Sequence, residues 1–364
     1  MELSLRAPTD RNSNHDTGID DFVRLFVVCI AAISLILCQS GCHWINGGIG
    51  SLSPFQPNLD PIFEHNASKV EIIDHLNANT SRLRSWQSED ATIKVKSPAS
   101  PIPIPLGATI SVEAPRNFRL RAHGTLAQAD MGSNDDRLWF WVNPGPVDNV
   151  VTARHEDVPM IQQYERLPFD PDWLMEVLGV VPLERSEVEL HSPPDPRSHF
   201  SSLVFVRTAR DGKRYQRIVT IDNRVGIVEH RLIDLSNKRG TLIARATLSG
   251  HRSVDGTMLP HRIFLEWPMT KTEFVMTLKD IQVNGAIDQD QWKVPQMDNL
   301  PTIDLGERIA AIYGLDRRVM AEQPDPPPFA DGHGRQSLQD VRERLLQPDQ
   351  ISEAPTWDDE PPFE

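Results

Sequence analysis

Cysteine is almost missing from this 364-residue chain: Cys29, Cys38 and Cys42 are its only three, and none follows Cys42. That excludes a disulfide framework, a cysteine-ligated zinc site and a cysteine nucleophile in the body of the protein. Positive charge is also short. Lys and Arg number 37 against 51 Asp and Glu, for a formal net charge of −14, so the basic footprint that a nucleic-acid binder needs is absent. No apolar run reaches the roughly 20 residues of a spanning helix, and 39% hydrophobic residues is too few for a polytopic membrane protein. The twelve histidines are scattered singly, with no HExxH pair, and there is no G-x-S-x-G elbow, P-loop or dinucleotide fingerprint. These absences point away from an enzyme and from any cofactor.

The apolar run that is present, Leu25 to Cys38, reads LFVVCIAAISLILC, the length of a signal-peptide core. Gln39-Ser40-Gly41-Cys42 follows it. Small residues at the two positions before a cysteine resemble a bacterial lipobox, which makes Cys42 the expected site of lipidation and residues 1–41 the expected signal peptide. Residues 42–67, with Gly47, Gly48, Gly50, Pro54, Pro57 and Pro61, read as the lipid anchor and its tether. The body is thus expected outside the cytoplasm, facing the periplasm. His43 stands where an Asp would favour the inner membrane, which leans the expectation to the outer one.

Ser68 to Arg84 has the spacing of an amphipathic helix, with Val70, Ile73, Leu76, Thr80 and Leu83 on one stripe. The period then changes to two: Ile93 with Val95, Ile110 with Val112, and Phe118, Leu120 with Ala122 alternate with polar residues, as in half-buried antiparallel strands. After a turn at Gly132 to Asp136, the strand Leu138-Trp139-Phe140-Trp141-Val142 is apolar on both faces and must be covered on both or line a cavity. Pro171 to Gly179 reads as a short helix, capped by Asp170 and ended by Gly179. Its side chains Trp173, Leu174, Val177 and Leu178 are too apolar to face water.

From about residue 201 to 284 turn chemistry recurs at Asp211-Gly212, Asp222-Asn223, Asn237 to Gly240, Asp255-Gly256 and Pro268 to Lys271, marking a meander of about six strands. In the last of them Phe274, Met276 and Leu278 fall in one phase, Ile281 and Val283 in the other. A bulge near Lys279 and Asp280 is expected. A short helix around Glu307 to Tyr313 closes the body, which spans residues 68–314. Residues 315–364 carry twelve acids against five bases and read as an acidic, proline-rich disordered tail with one weak helical island, Ser337 to Gln347.

These patterns give a mainly β (α+β) body of antiparallel strands with an N-terminal amphipathic helix and an enclosed short helix. Together with the stretches SRLRSWQSEDATIKV, APRNFRLRAHG, DRLWFWV, TMLPHRIFLEW and TKTEFVMTLKDIQVNG, this architecture resembles the LolA/LolB-like superfamily of bacterial lipoprotein carriers and lipid-binding lipoproteins. The resemblance implies that the strands make a curved antiparallel sheet forming an incomplete β-barrel, with the short helix as lid or plug, whose concave apolar face holds acyl chains without covalent chemistry. Trp139, Phe140, Trp141, Trp173, Leu174, Val177 and Leu178 are the candidate cavity residues. The expected partners are a membrane, through the N-terminal lipid, and an acyl chain or acylated protein, with no nucleic acid; the sequence leaves the oligomeric state open. The rival reading is a scaffold or sensor lipoprotein whose barrel is filled and whose acidic tail binds a partner.

Overall fold

The computed structural model describes residues 60–315, apart from 65–66, 99, 126, 144–148, 165–170, 193–197, 209–213 and 298–299. The expected signal peptide, Cys42, most of the tether and the tail beyond Leu315 lie outside the described residues, as do the proposed cap Asp170 and the turn at Asp211-Gly212.

The first helix, α1 (Lys69–Arg82), opens on a capping box. Ser68 Oγ accepts from the Glu71 N–H at 3.3 Å, and the Glu71 carboxylate accepts from the Ser68 N–H at 2.7 Å, an arrangement in which the cap residue alone is worth about 1 kcal/mol. Its buried face is Ile72, Ile73 and Leu76, with Leu83 just beyond its end. Val70, expected on this stripe, is 56% exposed. At about 100° per residue it lies about 110° from the centre of the arc that Ile72, Ile73 and Leu76 define.

The chain then runs up and down through β1 (Ser85–Ser97), β2 (Ser100–Glu113), β3 (Asn117–His123), β4 (Gln128–Ser133), β5 (Arg137–Asn143) and β6 (Val150–Arg154). Two short helices follow, α2 (Val158–Tyr164) and α3 (Pro171–Val177). The second series comprises β7 (Val188–His191), β8 (Phe200–Thr208), β9 (Arg214–Asp222), β10 (Gly226–Asp234) and β11 (Thr241–Ser249). A small ribbon, β12 (Arg252–Val254) with β13 (Thr257–Leu259), separates β11 from β14 (Arg262–Trp267) and β15 (Thr272–Val283). The edge strand β16 (Thr302–Asp304) and α4 (Leu305–Tyr313) come last.

All strands but β12 and β13 join one fourteen-stranded sheet, ordered β16-β6-β5-β4-β3-β2-β1-β15-β14-β11-β10-β9-β8-β7. Pairing is antiparallel except for β16 on β6. The two meanders are zipped together by the long pair β1 and β15, registered from Trp86 opposite Val283 to Lys96 opposite Glu273. The sheet has edges at β16 and β7, so it is curved and unclosed rather than a sealed barrel. The expected fold class, an incomplete barrel with an N-terminal helix and a helical plug, is the one found.

The phase change expected in β15 is present and has a definite form. Asp280 has φ +47°, and the buried positions Met276 and Leu278 are followed by Ile281. On β1 the same reset falls at Glu89 and Asp90, both exposed between buried Ser88 and Ala91. The β1–β15 register is unbroken across it, whereas β1 shifts against β2 between Ser88 and Ala91. Both strands therefore turn together, which returns Ile281 to the same face as Met276 and Leu278. The turn placed at Gly132 to Asp136 is shorter than expected. Gly132 and Ser133 belong to β4, and the loop is Asn134 to Asp136, where the Asn134 side chain accepts from the N–H groups of Asp136 and Arg137 at 3.0 and 2.9 Å.

Candidate ligand-binding face

Reading the register across the sheet gives one continuous inner face. It runs through Leu138, Phe140 and Val142 on β5, Leu120 and Ala122 on β3, Leu106, Ala108 and Ile110 on β2, and Ala91 and Ile93 on β1. It continues through Met276 and Leu278, Ile263 and Leu265, and Ala244 and Ala246, to Leu203 and Phe205 on β8. Alternation alone creates this surface, because every second side chain of each strand points the same way. Alanine recurs along it (Ala91, Ala108, Ala122, Ala244, Ala246), and so small a side chain leaves depth for something laid across the sheet.

What lies there is α3. Trp173, Met175, Val177 and Leu178 are buried in one apolar cluster with the strand residues from β5 across to β11, with Leu174 packed against it, whereas Leu203 and Phe205 of β8 cluster with Ile72, Ile73 and Leu76 of α1. Three polar contacts fix this helix at its start, middle and end. Arg116, in the corner between β2 and β3, grips Asp172 through two bonds of 3.1 and 3.2 Å. Arg217 of β9 pairs with Glu176. Trp86 of β1 donates its indole N–H to the Leu178 carbonyl at 3.1 Å. Gly179, at φ +80°, then takes the left-handed conformation that ends the helix.

These contacts measure the curvature. From β2 to β9 the sheet order has six inter-strand steps, about 29 Å along the sheet at about 4.8 Å each. Asp172 and Glu176 are four residues apart, about 6 Å of helix rise. One short helix touches both places only because the sheet curls around it. α3 is a strap tying the first meander to the second.

Of the seven cavity candidates, the structure brings Phe140, Trp173, Leu174, Val177 and Leu178 into this inner cluster. It places Trp139 and Trp141 on the opposite face. The reason is the alternation of β5: Leu138, Phe140 and Val142 point inward, so the two tryptophans between them cannot. Trp139 is buried under a polar seal. Its indole N–H donates to Asp130 Oδ1 at 3.1 Å, Arg119 clasps Asp130 at 3.1 and 2.6 Å, and Arg119 also donates to the Gln291 carbonyl at 2.8 Å. Trp141 is half-buried and lines an open, mixed-polarity outer groove of ≈ 590 Å³ together with Arg121, Gln128 and Gln291.

Two residues that the sequence reading passed over stand out on the inner face. Arg217 is in phase with Val219 and Ile221 on β9, and His230 is in phase with Leu232 on β10; their burial is 7% and 1% exposed. Burial, reinforced by the nearby Arg217 charge, pushes the His230 imidazole down to about 3, so it is neutral. Burial also lowers Arg217, against the opposing pull of Glu176. The signal was available in the sequence: a charged residue in step with apolar ones two positions away belongs to the buried face.

No family model and no curated protein matches the chain. Among solved structures it is similar to a domain named for outer membrane lipoprotein sorting from Vibrio parahaemolyticus, at 10% identity over 61% of this chain and 95% of that one, TM-score 0.43. It is also similar to a DUF1329 family protein from Desulfovibrio piger (11%, 61% and 94%, TM-score 0.40). A third is a LolA superfamily protein from Nitrosomonas europaea (12%, 61% and 98%, TM-score 0.39). Among the described residues no helix is long and apolar enough to cross a membrane.

Proposed function

We propose that the protein is an envelope lipoprotein, anchored through Cys42, whose curled sheet binds an acyl chain or an acylated protein on its inner face without covalent chemistry. The observation that carries this reading is the largely apolar inner face, packed at its centre by α3, one seven-residue helix held at three points, with α1, α2 and α4 packed beside it. A chain laid in place of α3 would bury each methylene for about 0.8 kcal/mol, so partial enclosure suffices for binding without an extensive polar site. Localisation facing the periplasm, with the outer membrane as destination, follows from the lipobox resemblance and from His43.

The rival, a scaffold or sensor with a filled interior and a tail that binds a partner, is favoured by the close packing of α3: Trp173, Val177 and Leu178 are 4%, 1% and 3% exposed. Titrating the purified full chain with a fluorescent fatty acid separates the two. In the carrier reading, binding saturates, changes tryptophan emission, and weakens in Trp173→Ala. In the scaffold reading no saturable binding occurs and the same substitution costs about 3 to 5 kcal/mol of stability. The anchor has its own test: Cys42→Ser should release the mature protein from membranes, and retention without an acyl mass increment on the wild type would overturn it.

A further inference from the structure

We propose that Arg217 and His230 form a binding site for the anionic head of a long-chain amphiphile, and that Glu176 of α3 occupies this site when the strap is closed. The inference deepens the carrier reading and rests on it, because it names the chemical class that the inner face accepts.

Arg217 lies on β9 at the floor of the inner face, and its side chain is 8% exposed. A guanidinium offers five N–H donors. Here it pairs with Glu176 through Nη1, while Nε and Nη2 are buried without a hydrogen-bond partner among the described residues. Its Cζ stands 4.1 Å from the centre of the Phe205 ring. His230, on the next strand, is opposite Val219, two residues from Arg217, so the two side chains are diagonal neighbours at roughly 7–8 Å. Both ring nitrogens of His230 are buried and, among the described residues, have no hydrogen-bond partner.

The surroundings make the pair conspicuous. On the same face Leu203 and Phe205 flank it on β8, Val219 and Leu232 lie beside it, and Ala244 and Ala246 follow on β11. Among the described residues, the other charges that act on Arg217 are Arg207 and Glu184, which pair with each other at 2.6 Å on the exposed rim. Unpaired buried donors are costly. In the closed protein they are left over because one carboxylate from a short helix reaches one edge of the guanidinium and no further.

A free anionic head would meet the same guanidinium without the constraint of being fixed to α3. A carboxylate or phosphate accepts a bidentate pair from Arg217, and the neutral imidazole of His230 adds one N–H donor. The alkyl chain then runs over the alanine-lined floor that α3 covers in the closed state. Glu176 is thus an internal competitor: the head must displace it, and the strap lifts as the chain enters. An apolar cleft with a few convergent polar groups is the general form of a small-molecule site.

The test compares oleate, a diacyl phosphatidate and uncharged oleyl alcohol, each titrated into the purified full-length protein. Three forms are needed: wild type, Glu176→Gln, and the double variant Glu176→Gln/Arg217→Gln, which leaves no unpaired buried charge. Wild type should bind an anionic amphiphile about tenfold more tightly than oleyl alcohol. Glu176→Gln should bind both more tightly and keep the preference, because it loosens the strap and leaves Arg217 in place. The double variant should lose the preference and still bind oleyl alcohol. Whichever of oleate and phosphatidate binds more tightly identifies the head as carboxylate or phosphate. Equal binding of charged and uncharged chains by wild type, a preference that survives in the double variant, or one already lost in Glu176→Gln overturns the proposal and leaves the carrier reading standing. Binding of no chain by any form overturns both.

Discussion

Glu176 of the strap helix and Arg217 of β9 form a buried ion pair across the interior of the sheet, with side chains 11% and 8% exposed. The exposed pair Arg116–Asp172, at 39% and 63%, ties the same helix to the other meander. Two salt bridges on one helix thus differ in weight. The exposed pair is screened and worth at most about 1 kcal/mol, whereas losing one partner of the buried pair strands a charge away from water.

Arg217→Met should therefore destabilise the protein by about 3 to 5 kcal/mol, because the buried Glu176 carboxylate loses the guanidinium that faces it. Adding Glu176→Leu should restore most of the loss, since a buried ion pair replaced by apolar residues of similar size is often neutral. Arg116→Ala should change the urea midpoint little. A double variant no more stable than Arg217→Met would show that the pair is not coupled.

Gly132 is the residue on which the outer seal depends. It pairs with Trp139 across β4 and β5, and a methyl group placed there would lie 2.1 Å from Trp139 Cζ2. The indole fills the space that a side chain at Gly132 would take and donates to Asp130 from there. Gly132→Ala should cost about 1 to 3 kcal/mol by overpacking and should alter the near-ultraviolet circular dichroism as Trp139 is displaced. Pairing it with Trp139→Leu should recover part of the stability.

Strand alternation made most of this fold legible. The apolar phase of Ile93, Ile110, Leu120 and Met276 assigned the inner face, whereas Leu138 to Val142, apolar in both phases, gave no such assignment and left Trp139 and Trp141 among the cavity candidates; the phase break after Leu278 foretold the reset that the structure places at Asp280. Contacts between distant segments were not legible. Asn79, a polar residue of α1, exchanges two hydrogen bonds with the backbone of Met258, at 2.9 and 3.2 Å. Asn77 does the same with Leu183 at 2.7 and 2.9 Å. An asparagine side chain can mimic a peptide group wherever the fold brings a free backbone edge to it, and no local pattern shows where that will be. The candidate site divides in the same way: the strap helix was evident from its all-round apolarity, whereas its bond to Arg217 depends on the curl of the sheet.

The two asparagines yield a further expectation. Asn79→Ala and Asn77→Ala each strand one backbone N–H and one carbonyl, so each should cost about 1 to 3 kcal/mol. Ser81→Ala, on the exposed side of α1, removes only a local bond to the Ala78 carbonyl and should be close to neutral. Chemical denaturation of the three variants side by side checks the ranking. A Ser81→Ala effect equal to the others would mean that helix propensity, and not docking of α1, governs the response.

The last expectation concerns acid. His230 is neutral in the folded protein, held down to about 3 by burial and by the Arg217 charge, whereas in the unfolded chain it titrates near its ordinary value of about 6.5. Between those values the unfolded state binds a proton that the folded state does not, so stability rises with pH across that window and falls as pH is lowered through it. Its contribution is complete above about pH 7 and lost progressively below about 6.5. Integrated from pH 7 to pH 5, His230 alone should remove about 2 kcal/mol. His251, also lowered by burial, acts in the same direction and leaves a residual slope. His230→Leu, which places an apolar side chain among Val219, Leu232 and Ala246, should flatten most of the pH dependence between 5 and 7. Urea unfolding of both proteins at pH 5, 6 and 7 gives the comparison: parallel curves would show that His230 takes up its proton in the folded state too, and therefore reaches water.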